Sequence, residues 1–364
     1  MRVTPNCIDT YFSEALALLK KLIEIPSMSG EEEGTAAILE SFLKGKDIPY
    51  QRKGNNIWCG NESFDRSKPT ILLNSHHDTV KPNKGYTRDP YRAIEENEKL
   101  FGLGSNDAGG CLVSLIMTFA HFYAQKELPY NLILAATAEE ESSGKNGVES
   151  ILKELQPVDF GMIGEPTEMN MAVAEKGLMV LDATAKGRSG HSARDVGVNA
   201  IYEAIKDIEW FKNYRFEKES DYLGPIKMTV TMISSGYQHN IIPDTCEFVV
   251  DIRTTDVYSN QQLFELIQSH VKSELNARSL RLNSSCLPEH MPVAKAADRL
   301  GIQKFGSPTC SDQAVMNFPT FKMGPGKSER SHTADEFIFL EELKEGIEGY
   351  IHLLEELFHM SASF

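Results

Sequence analysis

Three short apolar runs constrain the fold more than any other feature of this chain: TILLN at Thr70–Asn74, LILAAT at Leu132–Thr137 and GMIG at Gly161–Gly164. Runs this short and this continuous are what strands buried on both faces require, and such strands belong to parallel sheets covered by helices. Segments of helical period lie around them. Asp9–Ile25 repeats apolar residues at helical spacing until Pro26 stops it, Gly34–Leu43 predicts a second helix, and Gly109–Tyr123 a long apolar one. Strands alternating with helices give an α/β fold with a mostly parallel sheet.

From Leu178 the texture changes. LMVLDATAKG, KMTVTMI (Lys227–Ile233) and CEFVVDIR (Cys246–Arg253) alternate apolar and polar residues, as strands with one wet face do. Helices are expected at Ala200–Tyr214 and Gln261–Leu275, and a last strand at Leu280–Cys286. The order β-α-β-β-α-β is the split pattern of a ferredoxin-like α+β layer. The C-terminal stretch, ending in the helix Leu340–Phe358, closes no fold alone and is expected to return to the first sheet. The expected domains are therefore 1–176 with 287–364, and an insertion at 177–286.

Composition removes some classes of partner. The 364 residues carry a formal charge of −15, which repels phosphate backbones and anionic headgroups, so neither nucleic acid nor a membrane surface is expected to bind. No apolar run approaches the ~18–20 residues of a membrane span, and the first thirty residues lack the basic start and uniform apolar core of a signal peptide. Six scattered cysteines without a C-x-x-C pair fit reduced thiols, and the expected location is cytoplasmic.

Chemistry gathers where strands end. In an open α/β sheet, ligands collect outside the carboxyl ends of the strands, and the first apolar run leads directly into His76, His77 and Asp78. A metal-bound histidine usually gives its second ring N–H to a carboxylate, and Asp78, two residues on and with its side chain on the same face of the extended backbone as His76, fits that role. Alone, the stretch reads more readily as a pair of solvated loop histidines with a helix-capping or turn aspartate than as a metal site. Four other places weigh against that. FGLGSNDAGG sets Asp107 among glycines after a charged surface segment, Glu95–Lys99, and lacks the third glycine of a dinucleotide fingerprint. TAEEESSG puts Glu139, Glu140 and Glu141 behind a buried strand, where carboxylates repel one another unless a cation compensates them. GEPT supplies Glu165 and SHTADE supplies His332. His76, Asp107, Glu141, Glu165 and His332 could thus make a two-metal centre. Nitrogen and oxygen donors without thiolate suit Zn2+, with Co2+ or Mn2+ as substitutes.

Together, H-x-D, the glycine-flanked aspartate, T-A-x-E-E, G-E-P-T and the late S-H-T resemble the co-catalytic di-zinc family that contains acetylornithine deacetylase, succinyl-diaminopimelate desuccinylase, aminoacylase and glutamate carboxypeptidase. The resemblance runs over nearly the whole chain and implies a zinc-hydrolase catalytic domain with a ferredoxin-like dimerisation (lid) insertion. It further implies that His76 and Glu165 hold one metal, that Glu141 and His332 hold the other, that Asp107 bridges them, and that Asp78 backs His76. Glu140 falls on the general base, and a carboxylate free of ligation is suited to moving a proton. His191 falls on the donor to the substrate oxygen, acting across a homodimer. Arg253, with Asn240, is expected to grip a substrate carboxylate, although a strand-end ion pair with Asp251 or Asp244 is the competing use of that guanidinium. His77, Glu139, His239 and His290 have no required role.

The chain departs from many such relatives in reading Asp-Ala-Gly-Gly, without a lysine, after Asp107. The activity implied is removal of an acetyl or succinyl group from a small amino acid, best N-acetylornithine or an N-acylcitrulline in arginine biosynthesis. Desuccinylation of diaminopimelate, or dipeptidase or carboxypeptidase action, is the alternative enzyme reading. A catalytically silent metal or amino-acid binding protein is the alternative of another class.

Overall fold

A computed structural model describes residues 5–155, 157–194 and 196–361. The chain forms two compact units. One comprises Met1–Val173, Leu287–Phe305 and Ser311–Phe364; the other comprises Ala174–Cys286 and Gly306–Cys310. The short segment Gly306–Cys310 departs from the sequence-based division. Lys176 donates its N–H to Ser307 O within the second unit, and Gly306 lies against the Tyr222 carbonyl with no room for a side chain.

The first unit is built on strands ordered Gln51–Lys53, Asn56–Gly60, Asn131–Thr137, Thr70–His76, Phe160–Gly164, Thr320–Met323 and Met171–Glu175. The four central strands, from Asn131–Thr137 to Thr320–Met323, run parallel, and antiparallel neighbours flank them. Every residue of Thr70–His76 and Asn131–Thr137 is buried, as their apolar continuity requires. One face of the sheet is covered by Gly110–Phe122, apolar almost all round, with Pro5–Ile23 and Leu340–Ser361 packed against it. Phe122, Tyr130 and Phe160 contribute an aromatic cluster there, joined by Phe321 and Phe358. The other face buries Trp58, Leu72 and Ile133 under Ile151 and Leu155.

Glu95–Lys99, expected as a charged surface segment, lies at the surface and forms the turn of a hairpin. Asn97 and Glu98 take φ of 53° and 60°, the paired left-handed residues of a tight hairpin turn. Its second strand, Lys99–Phe101, also pairs with Phe337–Phe339.

In the second unit four antiparallel strands are ordered Lys227–Ser235, Thr245–Thr254, Gly177–Lys186 and Glu274–Ala277, with the helices Ala200–Asn213 and Asn260–His270. Met179, Leu181, Phe248 and Ile252 alternate inward to form its core with Phe211, Leu263 and Ile267. Asn199 caps the first helix, and Ser259 with Gln262 forms a capping box on the second. The expected helix Gln261–Leu275 stops early because the Asp207 carboxylate takes N–H bonds from Lys272 (3.2 Å) and Ser273 (2.8 Å) and draws the chain into a strand. The fourth strand is therefore Glu274–Ala277. Within the expected Leu280–Cys286, only Ser285–Cys286 is a strand, paired with Glu175 and Ala174.

Among the described residues no helix is long and apolar enough to cross a membrane.

Candidate metal centre

Parallel pairing brings the carboxyl ends of the central strands to one edge: His76 lies opposite Thr137, and Asn74 opposite Ile163. The loops leaving that edge therefore deliver Asp78, Glu140, Glu141 and Glu165 to one place. Asp107 arrives from a wound turn at Ser105–Gly109, where its own φ and ψ are −118° and 100°, and the Asp107–Ala108 peptide is cis. His332 comes from the loop before Phe337–Phe339, with φ 61°. That left-handed backbone is uncommon for a residue other than glycine, and such conformations cluster at functional sites.

The five residues form two groups that share Asp107: His76, Asp107 and Glu165, and Asp107, Glu141 and His332, with ligand atoms in each group within 4.8 Å of one another. Asp107 turns one oxygen to each side. Its Oδ1 is 3.3 Å from His76 Nε2, and its Oδ2 is 3.6 Å from His332 Nε2. Glu165 lies 3.8 Å from His76 Nε2, and Glu141 2.9 Å from His332 Nε2.

His76 Nδ1 lies 3.0 Å from the Asp78 carbonyl. A carbonyl can only accept, so Nδ1 carries a proton and, in the neutral ring, Nε2 presents its lone pair to the acids. That buried Nε2 has no hydrogen-bond partner. An orphaned ring nitrogen aimed at clustered carboxylates fits a divalent cation, and the oxygen and nitrogen donor set fits zinc among them.

Charge balance points the same way. Burial pushes the His76 pKa down, but the Asp107, Asp78 and Glu140 carboxylates outweigh it and hold the ring well above its usual value. Burial, then the negative charge of Asp107, raises Glu165 to about 8 against the pull of His76. Glu140 is raised well above the carboxylate range, first by burial and then by the neighbouring acids, although His76 opposes the shift. The hydrogen bond to Glu141 lifts His332 to about 9. Without metal, these groups compensate one another with protons; dications would displace those protons.

Buried carboxylates hold the loops in place. Asp78 accepts the N–H of Glu140 (3.0 Å) on Oδ1 and that of Glu141 (3.1 Å) on Oδ2, which also takes the Ser29 hydroxyl at 2.7 Å. The Asp78 carboxylate thus fixes the Glu140 and Glu141 backbone. The His76 ring proton goes to Asp78's carbonyl and not, as the sequence suggested, to that carboxylate, which stands 3.4 Å from Nδ1. Glu32, fully buried, accepts the Glu139 N–H (3.1 Å) and the Asn55 side-chain amide (2.8 Å). Glu336 accepts the N–H groups of Gly104, Asn106 and Asp107. Burial and the Asp107 charge raise Glu336 to about 8, against these amide bonds. Sequence reasoning missed Glu32 and Glu336; the one signal available was Glu336 closing the SHTADE motif. His77 takes no part in either group, its ring bonding Thr35 and the Asn55 carbonyl, and Glu139 accepts from Asn146.

The remaining candidates belong to the second unit. His191 pairs with Ile241 in a short antiparallel bridge, and Ser192 donates its N–H to Asn240 O. His191 Nδ1 accepts the Ala193 N–H at 3.1 Å, so the neutral ring carries its proton on Nε2 as a donor. Arg253 is paired with Asp251, Nε to Oδ1 at 2.9 Å and Nη2 to Oδ2 at 3.2 Å, which is the strand-end ion pair that competes for its guanidinium. The two residues share a strand face at spacing two.

A parallel α/β sheet with two carboxylate-bridged nitrogen and oxygen donor groups at its carboxyl edge has the design of a two-metal hydrolase. Residues 72–356 match Peptidase family M20/M25/M40, and the chain belongs to that family of metallohydrolases. An acetylornithine deacetylase from Buchnera aphidicola (subspecies Acyrthosiphon pisum) is 27% identical over 376 residues, covering 93% of this chain and 94% of its own. Among solved structures, aminopeptidase PepT from Bacillus cereus aligns with a TM-score of 0.75 at 18% identity, covering 95% of this chain and 98% of its own. The Bacillus subtilis YXEP protein, described as a dinuclear metal binding peptidase of this family, aligns at 0.73 and 16% identity over 96% and 99%. At those identities the structures speak for the fold.

Proposed function

We propose that the protein is a two-metal amidohydrolase that removes an acetyl or succinyl group from the α-amine of a small amino acid, with N-acetylornithine or an N-acylcitrulline as the first candidates and arginine biosynthesis as the setting. The observation that carries this reading is a half-buried acid, Glu140, standing 4.0 Å from His76 yet belonging to neither donor group. A structural metal site is normally closed by its protein ligands and has no use for such a group. The similarity to acetylornithine deacetylase supports the choice of substrate class, while the aminopeptidase neighbour keeps a peptide substrate as the second reading.

Two Zn2+ ions, or Co2+ or Mn2+, would be held by His76 with Glu165 and by Glu141 with His332, Asp107 serving both. When bound they supply positive charge that acidifies water and polarises the acyl carbonyl. Glu140 takes a proton from the attacking water as the new C–O bond forms, then returns it to the amine nitrogen as the C–N bond breaks. Asp78 keeps the Glu140 backbone in place through both transfers. The products are a carboxylic acid and a free amine.

His191, with its proton on Nε2, serves as donor to the carbonyl oxygen from a partner copy, and Arg253 receives the substrate's α-carboxylate. Asn240, the proposed polar assistant, lies within one chain at the opposite end of strand Thr245–Thr254 from Arg253. The insertion acts as the dimerisation and lid domain. Its edge strand Lys227–Ser235 leaves Met232 and Ile233 64% and 56% exposed, an unpaired apolar edge of the kind a second copy covers. The protein works in the cytoplasm. A mixture of His191→Ala and Glu140→Gln chains is expected to regain partial turnover that neither has alone; verified mixed dimers without recovery would rule out the trans arrangement.

The test of the function is amine release from N-acetyl- and N-succinyl-ornithine, -citrulline and -diaminopimelate, with zinc, with cobalt and after chelation. Chelator-sensitive cleavage of one compound is expected. Silence across the panel, with dipeptides cleaved, would replace the deacylase reading with the peptidase one. Bound metal without any cleavage would favour the silent binding protein.

A further inference from the structure

We infer that Glu336 is a positioning residue for the Glu141/His332 half of the metal centre, a role that rests on the proposed two-metal function. It is buried, and each oxygen is taken up by peptide groups: Oε1 accepts the N–H of Asn106 at 2.8 Å and of Asp107 at 2.9 Å, and Oε2 accepts that of Gly104 at 3.1 Å. Its carbonyl accepts the Gly102 N–H at 3.0 Å. Directly after it, Phe337–Phe339 pairs with Lys99–Phe101, the strand that leads into the Asp107 turn. One acid therefore ties the turn carrying Asp107 to the loop carrying His332.

A second clip completes the arrangement. Asn106 donates to the Lys327 carbonyl at 3.0 Å and accepts the Lys327 N–H at 3.0 Å. Residues 327 and 336, the two ends of the loop that carries His332, are thus both fastened to the Gly104–Asp107 turn. The halves of the centre depend on this fastening unequally. In the His76/Asp107/Glu165 group, His76 ends a central strand and Glu165 comes directly after one, so only Asp107 rests on Glu336. In the Asp107/Glu141/His332 group, both Asp107 and His332 do.

The test is calorimetric titration of chelator-stripped protein with Zn2+, comparing the parent with Glu336→Gln, whose amide puts an N–H where an oxygen accepted one. The parent is expected to bind in two steps. In Glu336→Gln the first step should stay within about threefold of the parent and the second weaken about 10–100-fold, the usual loss when an outer-shell partner of a metal ligand is changed. A purely structural role would lower the melting temperature and leave both affinities alone. Two parental steps in Glu336→Gln, or an equal loss of both, would overturn the inference. Should that variant fail to fold by circular dichroism, Asn106→Ala, which opens the other clip, is judged by the same criterion. A parent that takes up no metal would overturn the two-metal reading itself.

Discussion

The two halves of the metal centre use similar ligand types on different supports. His76 sits at the end of a fully buried strand with 1% of its side chain exposed, whereas His332 sits on a loop with 56% exposed. The first half is thus part of the core, and its ligands cannot be removed without disturbing the sheet edge. The second half is assembled from loops that hydrogen bonds hold in place. In the proposed centre one donor group is inherited from the packing, and the other is built onto it.

The sharpest way to break that contrast is to remove each histidine from the metal-free protein. His76→Ala leaves Asp107, Glu165 and Glu140 without their buried cationic partner, a change that typically costs about 3–5 kcal/mol. His332→Ala removes a more exposed ring whose pair with Glu141 is screened by solvent, and its effect should stay near about 1 kcal/mol. Urea unfolding of the two variants measures the difference; equal losses would remove the distinction between a core site and a built one.

Next in size is Glu140→Gln, which keeps the side chain's shape and removes the proton carrier. Turnover should fall about 10²–10⁴-fold, the usual contribution of a positioned base, while both metals stay bound. Metal analysis beside the kinetics separates this outcome from loss of a ligand.

A smaller effect than that of His76→Ala falls on the acidic loop. Glu32→Gln weakens the acceptor of the Glu139 N–H and the Asn55 amide, and an unsatisfied buried group costs about 1–3 kcal/mol. Metal content should not change, because Glu141 is still held by Asp78. A lost metal in this variant would mean that Glu32 supports the ligands and not only the loop.

The contrast also explains what could be read from the sequence. The apolar runs at Thr70–Asn74 and Leu132–Thr137 announce central strands, and the residues just past such strands are few enough that their chemistry stands out. His76, Glu141 and Glu165 are visible for that reason. Asp107 and His332 stand out through glycine and motif context, since their loops have no periodicity. Glu32 and Glu336 leave almost no trace, because a carboxylate that accepts N–H groups from residues up to 232 positions away has no local pattern. The misplaced fourth strand of the second unit has the same origin: Asp207 captures Lys272 and Ser273 through tertiary bonds that helical periodicity does not register. The Arg253–Asp251 pair, two residues apart on one strand, was readable as an alternative.

The most direct test of the shared-carboxylate centre is the metal content of dialysed protein, by elemental analysis, for the parent and for His76→Ala, His332→Ala and Asp107→Ala. The account predicts two metals per chain in the parent, one in each histidine variant and none once Asp107 is gone. A parent holding a single metal, or Asp107→Ala retaining one, would contradict it.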